Sequence, residues 1–331
     1  MKKVLKITGY TVLVIVLVIV GLISYVKVAL PDVGPATDIK IAATPEQIAR
    51  GKYLATSVTP CLDCHSTRDW SKFGGPVMDG TLGKGGEKFD QQFGFPGAYY
   101  ARNITPKGIS RYTDGELYRV ITTGVTKEGR AMFPVMPYKY FGRMDPEDIK
   151  CIIAYLRTLP PIDNDVPASV SDFPMNIIIN TIPSKATGTK RPDTSDRLAY
   201  GAYLINACAC QECHTKENKG QIIPELAFQG GREFKFPDGS VVRSANITPS
   251  TASGIGNWNE DAFVNRFKMY ADTSYKPQQV KPGDFNTMMP WLIYSNMSRS
   301  DLGAIYTYLR SLPAKENSVV KFSPASEMAK K

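Results

Sequence analysis

The chain is poorest in histidine: its 331 residues contain two. Peroxide chemistry on a metal centre usually recruits acid and base help, and so few imidazoles argue against it. Glycine (27) and proline (24) show no three-residue period, so collagen is excluded. Charge of one sign is also scarce. The net charge is +9, but Lys2, Lys3, Lys6 and Lys27 flank one apolar segment, and the rest of the chain carries only +5, a weak basis for binding nucleic acid. Strand signals are few, limited to a Pro237-Asp238-Gly239 turn between 234–236 and 241–242 that reads as one hairpin. With 43% hydrophobic residues the chain can still bury real cores, and its length suggests two domains at ~100–200 residues each.

Residues 7–26 carry no charge. Twenty helical residues at ~1.5 Å each cover the ~30 Å hydrocarbon core of a bilayer. The run is too long for a cleavable signal peptide, and its exit, Lys27-Val28-Ala29-Leu30-Pro31, is not a small-x-small site. Three lysines precede it and one follows. The positive-inside rule therefore places the amino terminus in the cytoplasm and residues 31–331 outside, with 1–30 as cytoplasmic tip and single-pass anchor in the cytoplasmic (inner) membrane.

Beyond a tether at 31–43 the chain repeats itself. Gly51, Tyr53 and Leu54 recur as Gly201, Tyr203 and Leu204, and Cys61, Cys64 and His65 as Cys210, Cys213 and His214. Asn103-Ile104-Thr105-Pro106 recurs as Asn246-Ile247-Thr248-Pro249, Met136-Pro137 as Met289-Pro290, and Tyr155-Leu156-Arg157 as Tyr308-Leu309-Arg310. Offsets drifting between 143 and 153 mean loop insertions in one shared fold, a duplicated domain rather than a solenoid. The copies are 44–160 and 194–313, joined by a proline-bearing linker at 161–193 and followed by a tail at 314–331. Within the linker, 175–182 is apolar enough to pack on a domain or on the membrane surface. Helix starts are marked by Thr44-Pro45-Glu46-Gln47, Thr113, Asn259, Asp145 and Ser298, so the class is mainly α with long loops.

Both histidines directly follow a Cys-x-x-Cys. Two thiols at this spacing can form thioethers with the two vinyl groups of a haem, and the adjacent histidine then supplies an axial nitrogen to the iron. Two such pentapeptides at matching points of a repeat absorb four of six cysteines and every histidine. The reading is two covalent haem c groups, held by Cys61 and Cys64 and by Cys210 and Cys213, with His65 and His214 on the irons. Zinc would want a further Cys or His pair in each copy, and a thioredoxin-like pair a βαβ setting. No histidine is left for the sixth position, which points to methionine. Met136 and Met289 each precede a proline, which denies them helix and holds a loop that can present sulfur. Met144 and Met297 precede helix caps and read as hydrophobic staples. Met78, Met132 and Met269 have no aligned partner and read as core, as does Cys151 opposite Ala304. Cys208 reads as a spare thiol or half of a strained pair with Cys210. Arg102, Asn103 and Asn246 read either as haem propionate partners or as turn formers.

In these motifs the chain resembles class I cytochrome c domains in tandem. Its Asn-Ile-Thr-Pro, Gly254-Ile255-Gly256-Asn257-Trp258 and Met-Pro-aromatic phrases are similar to the cytochrome c subunits of membrane-bound alcohol and gluconate dehydrogenases. The resemblance implies first and last helices crossing beside a haem in each copy. The expected function is a membrane-anchored dihaem carrier that moves single electrons between respiratory partners outside the cytoplasm, with no catalytic residues of its own. The partners expected are a membrane dehydrogenase, a quinol-oxidising complex or a terminal oxidase. The alternatives are a cytochrome subunit of a membrane dehydrogenase or respiratory complex, a dihaem peroxidase, or a sulfur-compound oxidase using Cys151 or Cys208.

Overall fold

The computed structural model describes residues 1–328; the last three residues of the expected tail lie outside the described residues. Helix α1 (Lys2–Ala29) buries no residue, as an apolar rod without protein neighbours on most sides should. Helices α2 (Pro45–Tyr53), α3 (Cys61–Cys64), α4 (Pro106–Ile109), α5 (Asp114–Thr123), α6 (Tyr138–Phe141) and α7 (Pro146–Leu156) follow. Helix α8 (Met175–Ile178) lies in the connection. Then come α9 (Arg197–Ala207), α10 (Cys210–Cys213), α11 (Glu260–Lys268), α12 (Trp291–Tyr294) and α13 (Arg299–Ser311). Their starts obey the sequence signals. Thr44 and Thr113 close full capping boxes with Gln47 and Glu116, and Asp145, Asn259 and Ser298 accept from backbone N–H groups of the first turn.

Two helix pairs form the centre, α2 against α7 and α9 against α13. Both crossings are set by glycine. A Cβ on Gly51 would lie 1.8 Å from the Cys151 carbonyl oxygen, and one on Gly201 would lie 2.0 Å from that of Ala304. Only a residue without a side chain allows the backbones this close. Ile149, Ile152, Ile153 and Leu156 on α7, with Leu302, Ile305 and Leu309 on α13, are buried around these contacts. Each such side chain contributes roughly 1.5–3 kcal/mol by leaving water.

One irregularity between the copies has a local cause. From Gly51 to Cys61 the first copy holds one residue more than the second does from Gly201 to Cys210. Residues Leu54–Val58 absorb it as a π turn, in which Thr59 N–H donates to the Leu54 carbonyl (2.8 Å) five residues back. The second copy keeps a four-residue bond, Cys208 N–H to Leu204 (2.8 Å), and turns through Ala209 at φ 52°. Both routes deliver a cysteine at the same turn.

The strands are more numerous than the single hairpin expected. That hairpin is present, β6 (Glu233–Lys235) on β7 (Val241–Arg243), extended by β8 (Phe322–Ser323). The first copy has its own sheet, β1 (Lys88–Phe89), β2 (Gly97–Tyr100) and β3 (Val170–Ser171), and β4 (Glu217–Asn218) pairs with β5 (Gln221–Ile222). Strands of two to four residues are too short to show alternation, and β3 and β8 join over long separations. Residues after the last helix of each copy thus fold back on that copy's own sheet.

The copies meet in a reciprocal contact. Tyr53 donates to Asp301 (2.6 Å) and accepts from Ser298 N–H (3.0 Å); Tyr203 donates to Asp148 (2.6 Å) and accepts from Asp145 N–H (3.3 Å). The first helix of each copy therefore grips the cap of the other copy's last helix.

Candidate functional site

Each Cys-x-x-Cys is one helical turn, α3 or α10, which puts its two sulfurs on one face. The histidine that follows closes the turn, with His65 N–H on the Cys61 carbonyl (3.0 Å) and His214 N–H on that of Cys210 (2.9 Å). The two backbones agree closely, φ −92° and ψ 21° at His65 against −92° and 22° at His214. His65 Nδ1 donates to the Arg102 carbonyl (2.6 Å), and His214 Nδ1 to that of Ala245 (2.7 Å). A carbonyl only accepts, so Nδ1 carries the proton and Nε2 keeps its lone pair for a metal. Burial holds both imidazoles below the usual histidine value, against the pull of those carbonyls, and so favours the neutral ligand form.

The receiving carbonyls sit immediately before Asn103 and Asn246. Each asparagine accepts from the backbone and hydroxyl of the threonine two residues on (2.7–3.0 Å). Each also donates to a carbonyl beyond its copy's last helix, Ile162 for Asn103 and Lys315 for Asn246 (2.8 Å). Of the two readings open for these residues, the turn is the one seen. Facing it is a glycine pair that the sequence reading passed over. Gly85 and Gly230 donate to the His65 and His214 carbonyls (2.8 Å each), and a Cβ on either would lie 2.5 Å from the Arg102 carbonyl carbon or 2.4 Å from that of Ala245. Gly85-Gly86 and Gly230-Gly231 recur at offset 145, a signal available in the repeat.

Met136 and Met289 stand in matching loops. Pro137 (φ −78°, ψ 51°) and Pro290 (φ −79°, ψ 61°) form inverse γ-turns, with the methionine carbonyls accepting from Tyr138 and Trp291 N–H (2.8 Å). Met144 and Met297 are fully buried in the core, as staples should be. In the first copy Cys61, Cys64, His65 and Met136 line one cleft of about 1440 Å³. Its wall includes Phe133 stacked on Tyr99 at 4.3 Å, a flat apolar surface. Arg102, Arg111 and Arg130 line it too, and burial together with the other two arginines holds Arg102 below its ordinary value. Arg102 donates to the Val166 and Pro167 carbonyls and Arg111 pairs with Glu128 (3.1 Å); with the Tyr99–Phe133 wall and the arginines at its edge, the cleft suits a flat apolar group with acidic edges. In the second copy, Cys210 and Met289 border the same hydrophobic core.

Three methionine expectations are corrected. Met78 and Met269 are not core but 47% and 51% exposed, and Met269 accepts from Arg266 at the end of α11 (3.0 Å). Met132 is half-buried and lines the first cleft. An unpaired position in a repeat belongs to a loop as readily as to a core, and a flexible thioether tolerates both. Cys151 is buried at the helix crossing, its carbonyl facing Gly51. Cys208 is a buried free thiol two residues before Cys210, at the position Thr59 holds beside Cys61 (3.2 Å) in the first copy.

A second feature escaped the sequence reading. The residue before the second cysteine is acidic in both copies, and an arginine from a following loop clamps it: Arg68 on Asp63 (2.9 Å), Arg232 on Glu212 (2.7 Å). Arg68 also pairs with Glu87 (3.0 Å) and stacks over Trp70 (4.2 Å). The arginines lie at different distances along the chain, so no alignment of the copies shows the pair.

These sites are poor for the competing chemistries. Burial pushes the Cys61 thiol up and the Cys64 thiol up to about 12, the reverse of what a reactive redox pair or thiolate ligand needs. Among the described residues no three His, Cys, Asp or Glu side chains gather as a metal site. Two cysteines beside a histidine fixed to present Nε2 remain, twice.

The chain is 29% identical over 298 residues to the fructose dehydrogenase cytochrome subunit of Gluconobacter japonicus, covering 86% of this chain and 56% of that protein. It is 26% identical over 284 residues to the cytochrome c subunit of the quinone alcohol dehydrogenase of Gluconobacter oxydans, 81% and 55% of the two chains. Relatives of this chain are named as cytochromes c. A dihaem cytochrome c of Cereibacter sphaeroides is 26% identical over 268 residues, 77% of this chain and 83% of that one. The chain thus spans a little over half the length of the two dehydrogenase subunits. No family model matches it. Cytochromes c carry covalent haem c, and the Cys-Cys-His turns and the cleft described above fit that group. Helix α1 adds an apolar segment long enough to anchor it in a membrane.

Proposed function

We propose that the chain is a dihaem electron carrier of two tandem class I cytochrome c domains (44–160 and 194–313), anchored in the cytoplasmic membrane by α1 with its haem domains on the extracytoplasmic face. The observation that carries this is the duplicated histidine geometry, with Nδ1 of His65 and of His214 each tied to a backbone carbonyl. A haem, when bound, supplies an iron that accepts and releases one electron. Cys61 and Cys64 would hold the first by thioethers, with His65 and Met136 as the residues to bind its iron. Cys210, Cys213, His214 and Met289 would do the same for the second. Arg102, Arg111 and Arg130 line the first cleft and would offset the propionates there, and Tyr99 with Phe133 would shield the group from water. A histidine and a methionine bound to each iron would leave substrate no open place there, and the methionine would raise the potential.

The packing of the copies supports passage between the sites. Tyr140, on the helix that follows Met136-Pro137, donates to Glu212 in α10 (3.1 Å). The loop before Met289 lies against the first copy, with Phe73 N–H on the Gln278 carbonyl (2.8 Å) and Gly74 N–H on Asn286 (2.9 Å). The methionine side of each copy thus abuts the other copy.

A second reading, that the chain is the cytochrome subunit of a membrane dehydrogenase complex, is supported by the names of its relatives. It shares the chemistry and differs in partners. Purification in mild detergent tests both. Low-spin c-type bands with a weak Met-to-iron charge-transfer band are expected at both sites, and native high-spin iron overturns the ligation. A dehydrogenase that copurifies selects the subunit reading, and a chain purified alone selects the free carrier.

A further inference from the structure

The connection between the copies is short of charge where it meets the anchor. Residues 169–184 contain one charged side chain, Asp172, and that one is engaged by Gln91 (2.7 Å). The segment includes Phe173, Met175, Ile177, Ile178, Ile179 and Ile182. It is divided by placement. Met175, Ile177, Ile179 and Ile182 are half-buried, whereas Phe173 is 79% exposed, Val170 63% and Ile178 43%. Exposed apolar side chains this large each forgo roughly 1.5–3 kcal/mol if they face water.

The place of the segment relative to α1 decides what they face. Helix α8 and the 3-10 turn after it (Ile179–Thr181) pack on α1, and Asn180 Nδ2 donates to the Val26 carbonyl (3.3 Å). Val26 is the last residue of the uncharged run, the point where a bilayer-spanning α1 leaves the hydrocarbon for the headgroups. A segment hydrogen-bonded at that residue lies at the membrane–water boundary. Aromatic and aliphatic side chains beside polar backbone suit that layer, where an apolar face sinks into the acyl boundary while Asn176 and Asn180 stay with the headgroups.

We propose that residues 170–182 form a second, interfacial membrane contact beside the exit of α1, with Phe173 and Ile178 in the headgroup–acyl boundary of the outer leaflet and phospholipid as the occupant. The consequence is orientation. Lys27, Leu30, Asn176, Ile179 and Asn180 also line the cleft of the first copy, so this contact turns that cleft toward the membrane surface. A chain held by α1 alone would pivot on its tether.

The test uses the full chain in phosphatidylglycerol–phosphatidylcholine nanodiscs, with photoreactive p-benzoylphenylalanine at position 173 and, as control, at position 198. Leu198 is 47% exposed at the start of α9, outside the segment that packs on α1. After illumination, phospholipid adducts on the intact chain are expected to be about tenfold more abundant at 173 than at 198. Equal yields at the two positions, no lipid adduct at 173, or a covalent dimer through 173 in place of lipid overturns the proposal. Both substitutions are at exposed sites, so folding is not at stake, and retained helix content by circular dichroism checks it.

Discussion

Asp148 is the side chain whose loss should cost the fold most. It is 1% exposed and accepts from Arg50 (3.0 and 2.8 Å), Arg191 (2.6 Å) and Tyr203 (2.6 Å), joining α7 to α2, to the connection and to the second copy at once. Asp148→Ala strands the Arg50 guanidinium without its buried partner, a change of about 3–5 kcal/mol. The share from Arg191 is discounted, because its side chain is 40% exposed and water replaces the lost partner. Tyr203→Phe removes one charge-assisted hydrogen bond and is expected to cost ~1.5–3 kcal/mol. Asp301, which accepts from Tyr53 (2.6 Å) and among the described residues pairs with no arginine, supplies the internal comparison: Asp301→Ala should cost less than Asp148→Ala. The sign with pH follows. Burial pushes the Asp148 carboxyl up, but the hydrogen bond and charge of Arg50, with Tyr203 and Arg191, outweigh it, and the net value is below that of an ordinary carboxylate. A depressed value in the fold means the contribution is present above the unfolded value of ~3.9 and is lost as pH falls through the folded one. Asp148→Asn should therefore flatten that part of the acid limb. Urea unfolding of the purified full chain between pH 3 and pH 7 reads all four variants. An Asp148→Ala chain within about 0.5 kcal/mol of wild type, or an Asp301→Ala chain that loses more, refutes the reasoning.

Gly51→Ala must open the α2–α7 crossing from 1.8 Å to ordinary contact, backbone against backbone, and should lower stability by about 3 kcal/mol or more, whereas Gly21→Ala, with nothing within 4 Å, should leave the thermal midpoint unchanged. Met136→Leu and Met289→Leu should each remove half of the Met-to-iron charge-transfer band, while Met144→Leu and Met297→Leu should keep it whole; near-infrared spectra decide. Cys151→Ser and Cys208→Ser should leave both haem spectra unchanged, and a shift of either Soret band would bring a thiolate ligand back into consideration.

What is local in this chain was the part legible in its sequence. Cys-x-x-Cys-His is a local code, and the caps at Thr44, Thr113, Asp145, Asn259 and Ser298 are local as well, so each was legible from a few neighbours. The repeat made Met136 and Met289 stand out from Met144 and Met297, because proline and helix caps act on the adjacent residue. What depends on distant partners was not legible. Strands β3 and β8 exist only through pairing with residues over 70 positions away, and the Arg68–Asp63 and Arg232–Glu212 clamps arise at unlike spacings. The reciprocal Tyr53–Asp301 and Tyr203–Asp148 contacts need the two copies placed face to face. Gly85 and Gly230 lie between these cases, since their recurrence is visible but their closeness to the Arg102 and Ala245 carbonyls is not.

The most direct test is the mass of the intact purified chain under denaturing conditions. Two covalent attachments predict the mass of the polypeptide plus two haems, with no unmodified species after acid and organic solvent strip anything held without a bond. The mass of the polypeptide alone contradicts the account entirely, and the mass of one haem contradicts the equivalence of the two Cys-Cys-His turns.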